Sequence, residues 1–160
     1  MSNVAVKRRT RPAGVVPKSF PYIDIYRASG VDRIRLVKAG VSAITTKRMI
    51  LDLHLDQQVL FKALNLKTAT VNRKAARNEV LSPDESERVL GIAKLVGQLE
   101  NMIEESGDAS GFDALAWLSR WLRAPLPAFA GVRPIDQLDT MEGQALVSQA
   151  LAQIQSGAYA

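Results

Sequence analysis

The chain of 160 residues has no cysteine. That excludes disulfides, zinc–thiolate sites and thiol nucleophiles. It also agrees with a reducing compartment, so a cytoplasmic location is expected. Histidine is nearly absent too. His54 is the single one, and it falls in an amphipathic stretch, which favours a structural role over a catalytic one. The acidic residues show no metal-ligand spacing. Neither a Gly-x-Ser-x-Gly elbow nor a phosphate-cradling glycine loop occurs. These absences argue against an enzyme and leave no catalytic residue, metal or cofactor to expect. No uncharged apolar run reaches the roughly 18 residues that a membrane helix needs. The basic opening MSNVAVKRRTRP is not followed by an apolar segment, so it does not read as a secretory signal.

What the chain does have is charge, unevenly placed. Residues 1–80 hold 16 Lys/Arg against 5 Asp/Glu, a balance of +11, and residues 81–160 hold 5 against 11, a balance of −6. A basic front and an acidic back suggest that the front half meets a polyanion and that the back half has another task.

The front opens with KRRTRPAGVVPKSFP (7–21), which is cationic, proline-bearing and aperiodic. Residues 1–21 read as a mobile basic arm. A helix should follow with Ile34, Leu36 and Val37 as its apolar stripe, stopped by Gly40. In SAITTKRMILDLHL, residues Ile44, Met49, Ile50 and Leu53 are spaced for one helical face. Asp56 can cap a further helix whose inner face is Val59, Leu60 and Leu64. Asn65 and Leu66 make a tight turn. Thr68 can cap the next helix, TATVNRKAARN, in which Val71 is the single bulky apolar residue and points inward.

Two short helices joined by so short a turn form a helix-turn-helix, whose second helix stays polar because its outer face enters the DNA major groove. An ordinary solvated helix of a bundle is the other reading, and the local excess of cations favours DNA. The candidate DNA contacts are Lys67, Thr68, Thr70, Asn72, Arg73, Lys74 and Arg77. Arginine pairs bidentately with guanine and asparagine with adenine, while lysine and arginine displace counterions from phosphates.

The stretch from LSPDESERVL onward is a long helix. Ser82 is its cap, Pro83 its first residue, and Glu85 closes a capping box. Val89, Ile92, Ala93, Val96, Leu99 and Ile103 trace one apolar face. SGDASG (106–111) reads as a hinge, dividing a part over 22–105 from a part over 112–160. In the second part Trp117 and Trp121 share a helical face, as core residues more readily than as a ligand site. RAPLPAFAGVRP is a non-helical crossing. A last helix, capped by Thr140, should bury Leu146, Val147, Ala150, Leu151 and Ile154 and end at Gly157. The class is all-α. The apolar surface of Val89–Ile103 and of the back half looks too large for one small chain to hide, so a homodimer is expected.

The back half, WLRAPLPAFAGVRPIDQLDTMEGQALVSQALAQIQSGAYA, resembles the C-terminal domain of the Xre/ParS-type antitoxins, the partners of RES-domain toxins. Trp121, Leu122, Pro125, Gly131, Pro134, Leu138, Thr140, Gly143, Val147, Leu151, Ile154 and Gly157 carry the likeness. In the front half VKAGVSA, LNLKTATVNRKA and LSPDESERVLGIAKL are similar to the same family's helix-turn-helix part. Ala130 departs from it, since a glycine is common there. The resemblance implies a Cro/Xre-like DNA-binding part followed by a small helical toxin-binding part, in an antitoxin that dimerises, represses its own operon at an operator, and holds an NAD-consuming RES toxin in a larger complex. The toxin-binding positions it implies are Trp121, Gly131, Arg133, Pro134 and the tail Gly157, Ala158, Tyr159 and Ala160, which approaches the toxin's active-site cleft. Two other classes stay open on the residues alone: a stand-alone helix-turn-helix regulator with an acidic oligomerisation domain, and an adaptor whose basic half binds an acidic protein.

Overall fold

Most helices in this chain begin where a short polar side chain can accept an amide proton that the helix itself leaves unpaired. The computed structural model describes residues 20–108 and 110–157. Its eight α-helices are α1 (Tyr22–Arg27), α2 (Gly30–Ala39), α3 (Ala43–Asp52), α4 (Gln57–Ala63), α5 (Thr68–Ala76), α6 (Pro83–Ser106), α7 (Ala114–Arg123) and α8 (Met141–Gln155). Short 3-10 turns at Pro127–Phe129 and Pro134–Gln137 join α7 to α8. Ser29, Ser42, Asp56, Ser82, Asp113 and Thr140 each accept a first-turn amide from their caps. The described residues contain no strand, and a single antiparallel bridge joins Ser42 to Val80. The all-α expectation holds.

The basic arm falls outside the described residues except at its end. Phe20 packs partly buried on the core, its ring 4.9 Å from that of Tyr22. Ala158, Tyr159 and Ala160 also lie outside them.

α6 is the axis of the fold. The sequence reading gave it one apolar face. In the structure Leu90, Gly91, Leu95, Gly97 and Gln98 are buried as well, so it is enclosed nearly all round. α1, α2, α7 and α8 all pack against it. This removes part of the ground on which a dimer was expected, because the chain itself covers Val89–Leu99, while apolar surface of the back half stays uncovered. It also corrects the hinge. Gly107 does end α6 in the left-handed conformation, at φ 79°. However, front residues such as Phe61 and back residues such as Leu122 and Leu151 belong to one continuous core.

Two glycines set how closely the neighbours approach. A Cβ at Gly97 would collide with the carbonyl oxygen of Tyr22 in α1, and one at Gly91 with the side-chain amide of Gln144 in α8. In that slot Gln144 Nε2 donates to the carbonyls of Arg88 (3.0 Å) and Leu138 (2.9 Å). Farther along, Gln98 Nε2 donates to the Ser148 carbonyl at 2.9 Å, and Ser148 Oγ donates to Gln98 Oε1 at 2.7 Å. Every buried side-chain polar atom among the described residues has a partner, as low-dielectric burial demands.

Arginines close helix ends that lack other partners. Arg33 Nη1 donates to the carbonyls of Ile25, Tyr26 and Ala28 at the end of α1. Arg88 Nε donates to the Leu64 carbonyl, 2.6 Å away, at the end of α4. Arg33 thus takes the inner face of α2, beside Val37. The expected stripe partners Ile34 and Leu36 are exposed.

Similar shifts occur elsewhere, always where no neighbouring element covers the residue. Ile44 and Val59 are exposed, while Ala43 and Thr46 and then Phe61 take the inner positions. His54 is not inside a helix. α3 ends at Asp52, and His54 stands exposed in the turn at φ 51°. Thr68 is the first residue of α5 rather than its cap. Lys67 holds the cap position without a side-chain hydrogen bond.

The capping box of α6 is present. Ser82 Oγ accepts from Glu85 N (3.2 Å), and Glu85 Oε2 accepts from Ser82 N (2.9 Å). The same carboxylate oxygen accepts from Lys74 Nζ of α5 at 3.1 Å, with only about a fifth of either side chain exposed (19% and 18%). Burial raises the Glu85 pKa, but the Ser82 amide and the Lys74 ammonium outweigh it and hold the group below its ordinary 4.5.

Two measurements check this packing. Gly97→Ala should lose about 1–3 kcal/mol through overpacking, a fall of roughly 2–4 °C per kcal/mol for a chain this size. Gly30→Ala, with nothing near its added carbon, should leave the melting temperature unchanged or slightly raised. Equal losses in the two variants would refute the close approach at Gly97. Because the folded Glu85 value lies below 4.5, its stabilisation is complete above that pH and is lost as pH falls through the folded value. The melting gap between the wild type and Glu85→Gln should therefore be widest near neutral pH and close in acid. A gap independent of pH would contradict the pairing.

Candidate DNA-reading helix and C-terminal groove

The turn between α4 and α5 runs over Leu64–Lys67. Asn65 takes φ 51°, a region that asparagine tolerates better than most side chains. Leu66 is buried, and its amide donates to the Phe61 carbonyl at 2.7 Å. Arg88 holds this turn from α6 by its bond to Leu64 and a longer one, 3.4 Å, to the Asn65 carbonyl. The turn is thus fixed from inside, and α5 leaves it in a set direction.

α5 buries Val71 fully and packs against α3 and α4. Its exposed residues are Ala69, Asn72, Arg73 and Ala76, with Arg77 just past its end. That is spacing i, i+3, i+4, i+7, one helical face. The face contains no acid. Lys67 is exposed at the start of the helix, where the first amides have no side-chain cap, a setting that favours a phosphate. Thr68 and Thr70 are half-buried at its flank. Lys74 stands apart from this face, since its ammonium is engaged by Glu85 and fastens α5 to α6. Ala69 and Ala76, which the sequence reading did not single out, are small enough to let the backbone come close to a surface. The signal that could have found them is their spacing from Asn72 and Arg73.

The C-terminal part presents a different surface. Trp117 and Trp121 stack with centroids 5.9 Å apart and planes 14° apart, and Phe112 adds a third ring 6.4 Å from Trp117. Both tryptophans are half-buried on the core. Beyond Trp121 the crossing folds into the two 3-10 turns. Gly131 N and Val132 O bond to the Leu126 carbonyl (2.9 Å) and amide (3.2 Å) respectively. Ala130 and Gly131 are both left-handed, at φ 53° and 83°, which explains why glycine suits position 130 in the family that the sequence resembles.

Between this crossing and α8 lies an apolar groove of about 200 Å³, lined by Trp121, Leu126, Pro127, Ala150 and Ile154. It continues past Ala150 into a hollow bordered by Phe129 and Leu146. α8 buries Val147, Ala150 and Leu151, but Leu146 (44%) and Ile154 (37%) are exposed rather than buried as expected.

The remaining positions implied by the resemblance are dispersed. Gly131 is exposed and Pro134 is buried. Arg133 is exposed and donates through Nε and Nη2 to the two carboxylate oxygens of Asp136 (2.9 and 2.8 Å). Gly157 ends α8 at φ 71°. Among the described residues no cluster of three or more metal-ligating side chains exists, and no helix is long and apolar enough to cross a membrane.

Comparison with known proteins assigns a family domain to each part of the chain. Residues 32–94 match the antitoxin Xre-like helix-turn-helix domain, and residues 111–157 match the antitoxin Xre/MbcA/ParS C-terminal toxin-binding domain. A Prs ADP-ribosylating antitoxin of Sphingobium sp. strain YBL2 is 65% identical over 153 residues, which span 96% of this chain and 95% of that protein. An antitoxin Xre of Pseudomonas putida strain KT2440 is 31% identical over 88 residues, 55% of this chain and 50% of that one. A helix-turn-helix that projects a cationic face, followed by a toxin-binding domain, places this chain in the Xre/MbcA/ParS antitoxin family, as the antitoxin of a toxin–antitoxin system.

Proposed function

We propose that this antitoxin neutralises a RES-type toxin that consumes NAD, and that it represses its own operon by reading an operator through α5. The observation that carries the DNA half is the acid-free outward face of α5. On it Arg73 can pair bidentately with guanine and Asn72 with adenine, and the Ala69 methyl can contact a thymine methyl. Lys67 and Arg77 suit phosphates. Thr68 and Thr70 flank this face, and Lys74 serves it by holding the helix in place. Residues 22–105 then form the DNA-binding part and residues 112–160 the toxin-binding part, joined through α6. A homodimer supplies the two-fold symmetry that such operators mirror.

For the toxin half, the name of the Sphingobium relative couples an antitoxin to ADP-ribosylation. ADP-ribose transfer draws on NAD, the chemistry expected of a RES toxin. Of the toxin-binding positions, Trp121, Gly131 and Arg133 lie at the surface, whereas the buried Pro134 shapes the crossing. The tail from Gly157 through Ala158, Tyr159 and Ala160 obstructs the toxin's cleft, Tyr159 supplying an amphipathic ring suited to an interface.

Gel-shift titration at fixed salt tests the DNA reading. Arg73→Ala should lose about 1–3 kcal/mol of operator binding, roughly 5- to 150-fold, without a change in melting temperature. Unchanged affinity in the Arg73/Arg77 double variant would remove α5 from the interface. Light scattering should give twice the 17.5 kDa chain mass, and a monomer mass at micromolar concentration would end the dimer reading. Co-expression with the toxin of the same operon should restore cellular NAD. A toxin that leaves NAD untouched would exclude the RES assignment.

A further inference from the structure

We infer that the toxin's grip on this antitoxin lies in the apolar groove between α7, the Pro127–Phe129 turn and α8, into which the toxin inserts an apolar ridge. The inference rests on the toxin-binding reading above and locates it.

The starting point is the unusual width of the stripe on α8. Leu146, Val147, Ala150, Leu151 and Ile154 recur at i, i+1, i+4, i+5 and i+8, yet the core takes up one edge of the stripe and leaves Leu146 and Ile154 uncovered. Ile154 meets Trp121, Leu126 and Pro127 in a groove walled by apolar surface, and Leu146 borders the adjoining hollow with Phe129, Gln149 and Gln153. Its walls are held in place beforehand. Trp121 is stacked on Trp117, and Leu126 is tied by three backbone hydrogen bonds, to Val132, Phe129 and Gly131. A rigid apolar pocket with a half-exposed tryptophan has the make-up of an interface hot spot, since little ordering entropy is lost when it fills.

Two observations choose the occupant. Every residue of the groove falls within the segment matched to the toxin-binding domain. A second copy of the chain fits poorly, because a two-fold contact sets the same patch against itself and would bring hollow to hollow. A partner with an apolar ridge fits.

The test uses the full chain and the catalytically inactivated toxin of its own operon, with affinity measured by titration calorimetry. Leu146→Gln and Ile154→Gln keep helix propensity and alter exposed side chains. Each should weaken toxin binding about tenfold or more with melting temperature and operator affinity unchanged. Deletion of residues 158–160 should leave affinity within about threefold. Groove variants that bind as tightly as the wild type overturn the inference. So does a tail deletion that by itself removes the affinity, or a groove variant that changes the antitoxin's own mass while binding toxin normally. A wild-type chain that does not bind the toxin at all overturns the toxin reading together with the groove.

Discussion

The structure depends on α6 being narrow where its neighbours cross it. A helix buried on nearly every side must let other backbones approach, and ordinary side chains keep helix axes about 8–10 Å apart. Gly97 lets the Tyr22 carbonyl of α1 come against the α6 backbone. Gly91 opens a slot that admits the Gln144 amide of α8. Glycine inside a helix costs roughly 0.5–1 kcal/mol relative to alanine. Here that cost is offset by the contacts it permits, including two hydrogen bonds from one buried amide.

Charge is organised around the same axis. Several cations are placed against carbonyls or carboxylates: Arg33 on the end of α1, Arg88 on the end of α4, Lys74 on Glu85 and Arg27 on Glu104. Arg73, Arg77 and Lys67 remain exposed on or beside the outer face of α5. The acidic back half leaves its groove without charge. The two surfaces therefore differ in the physics they offer a partner. One is long-ranged and salt-sensitive, and the other is short-ranged and driven by removal of apolar area from water.

Local features were legible in the sequence because their causes are local. Ser82, Asp56 and Thr140 cap as their positions require, Val71 points inward, and Gly157 takes the left-handed form. Coverage was not legible. Spacing shows that Ile34, Val59, Leu146 and Ile154 can share a face with core residues, but not whether another element lies over them. Lys74 shows the same limit for charge, since its partner Glu85 becomes a neighbour only once α5 and α6 are folded together. The enclosure of α6 did leave a trace, in Leu90 and Leu95, which fall off the stripe traced by Val89, Ile92 and Val96. Within the candidate DNA helix the cations and Asn72 stood out by composition, whereas Ala69 and Ala76 carry no chemical signal and become visible only as a face.

Arg88 serves both ends of the molecule. Its carbonyl receives Gln144 from α8, and its guanidinium holds the Leu64–Asn65 turn ahead of α5. Modularity is therefore lower than the two-part organisation of the chain suggests. A chimera that exchanged residues 112–160 between relatives would cut at the exposed loop after α6, yet the socket for the incoming α8 is built from Arg88, Gly91 and Gln98 on the other side of that cut. Drift in either part is constrained by the other, so partner specificity can diversify freely at the outer faces of α5 and α8 but only in concert along the seam between α6 and α8.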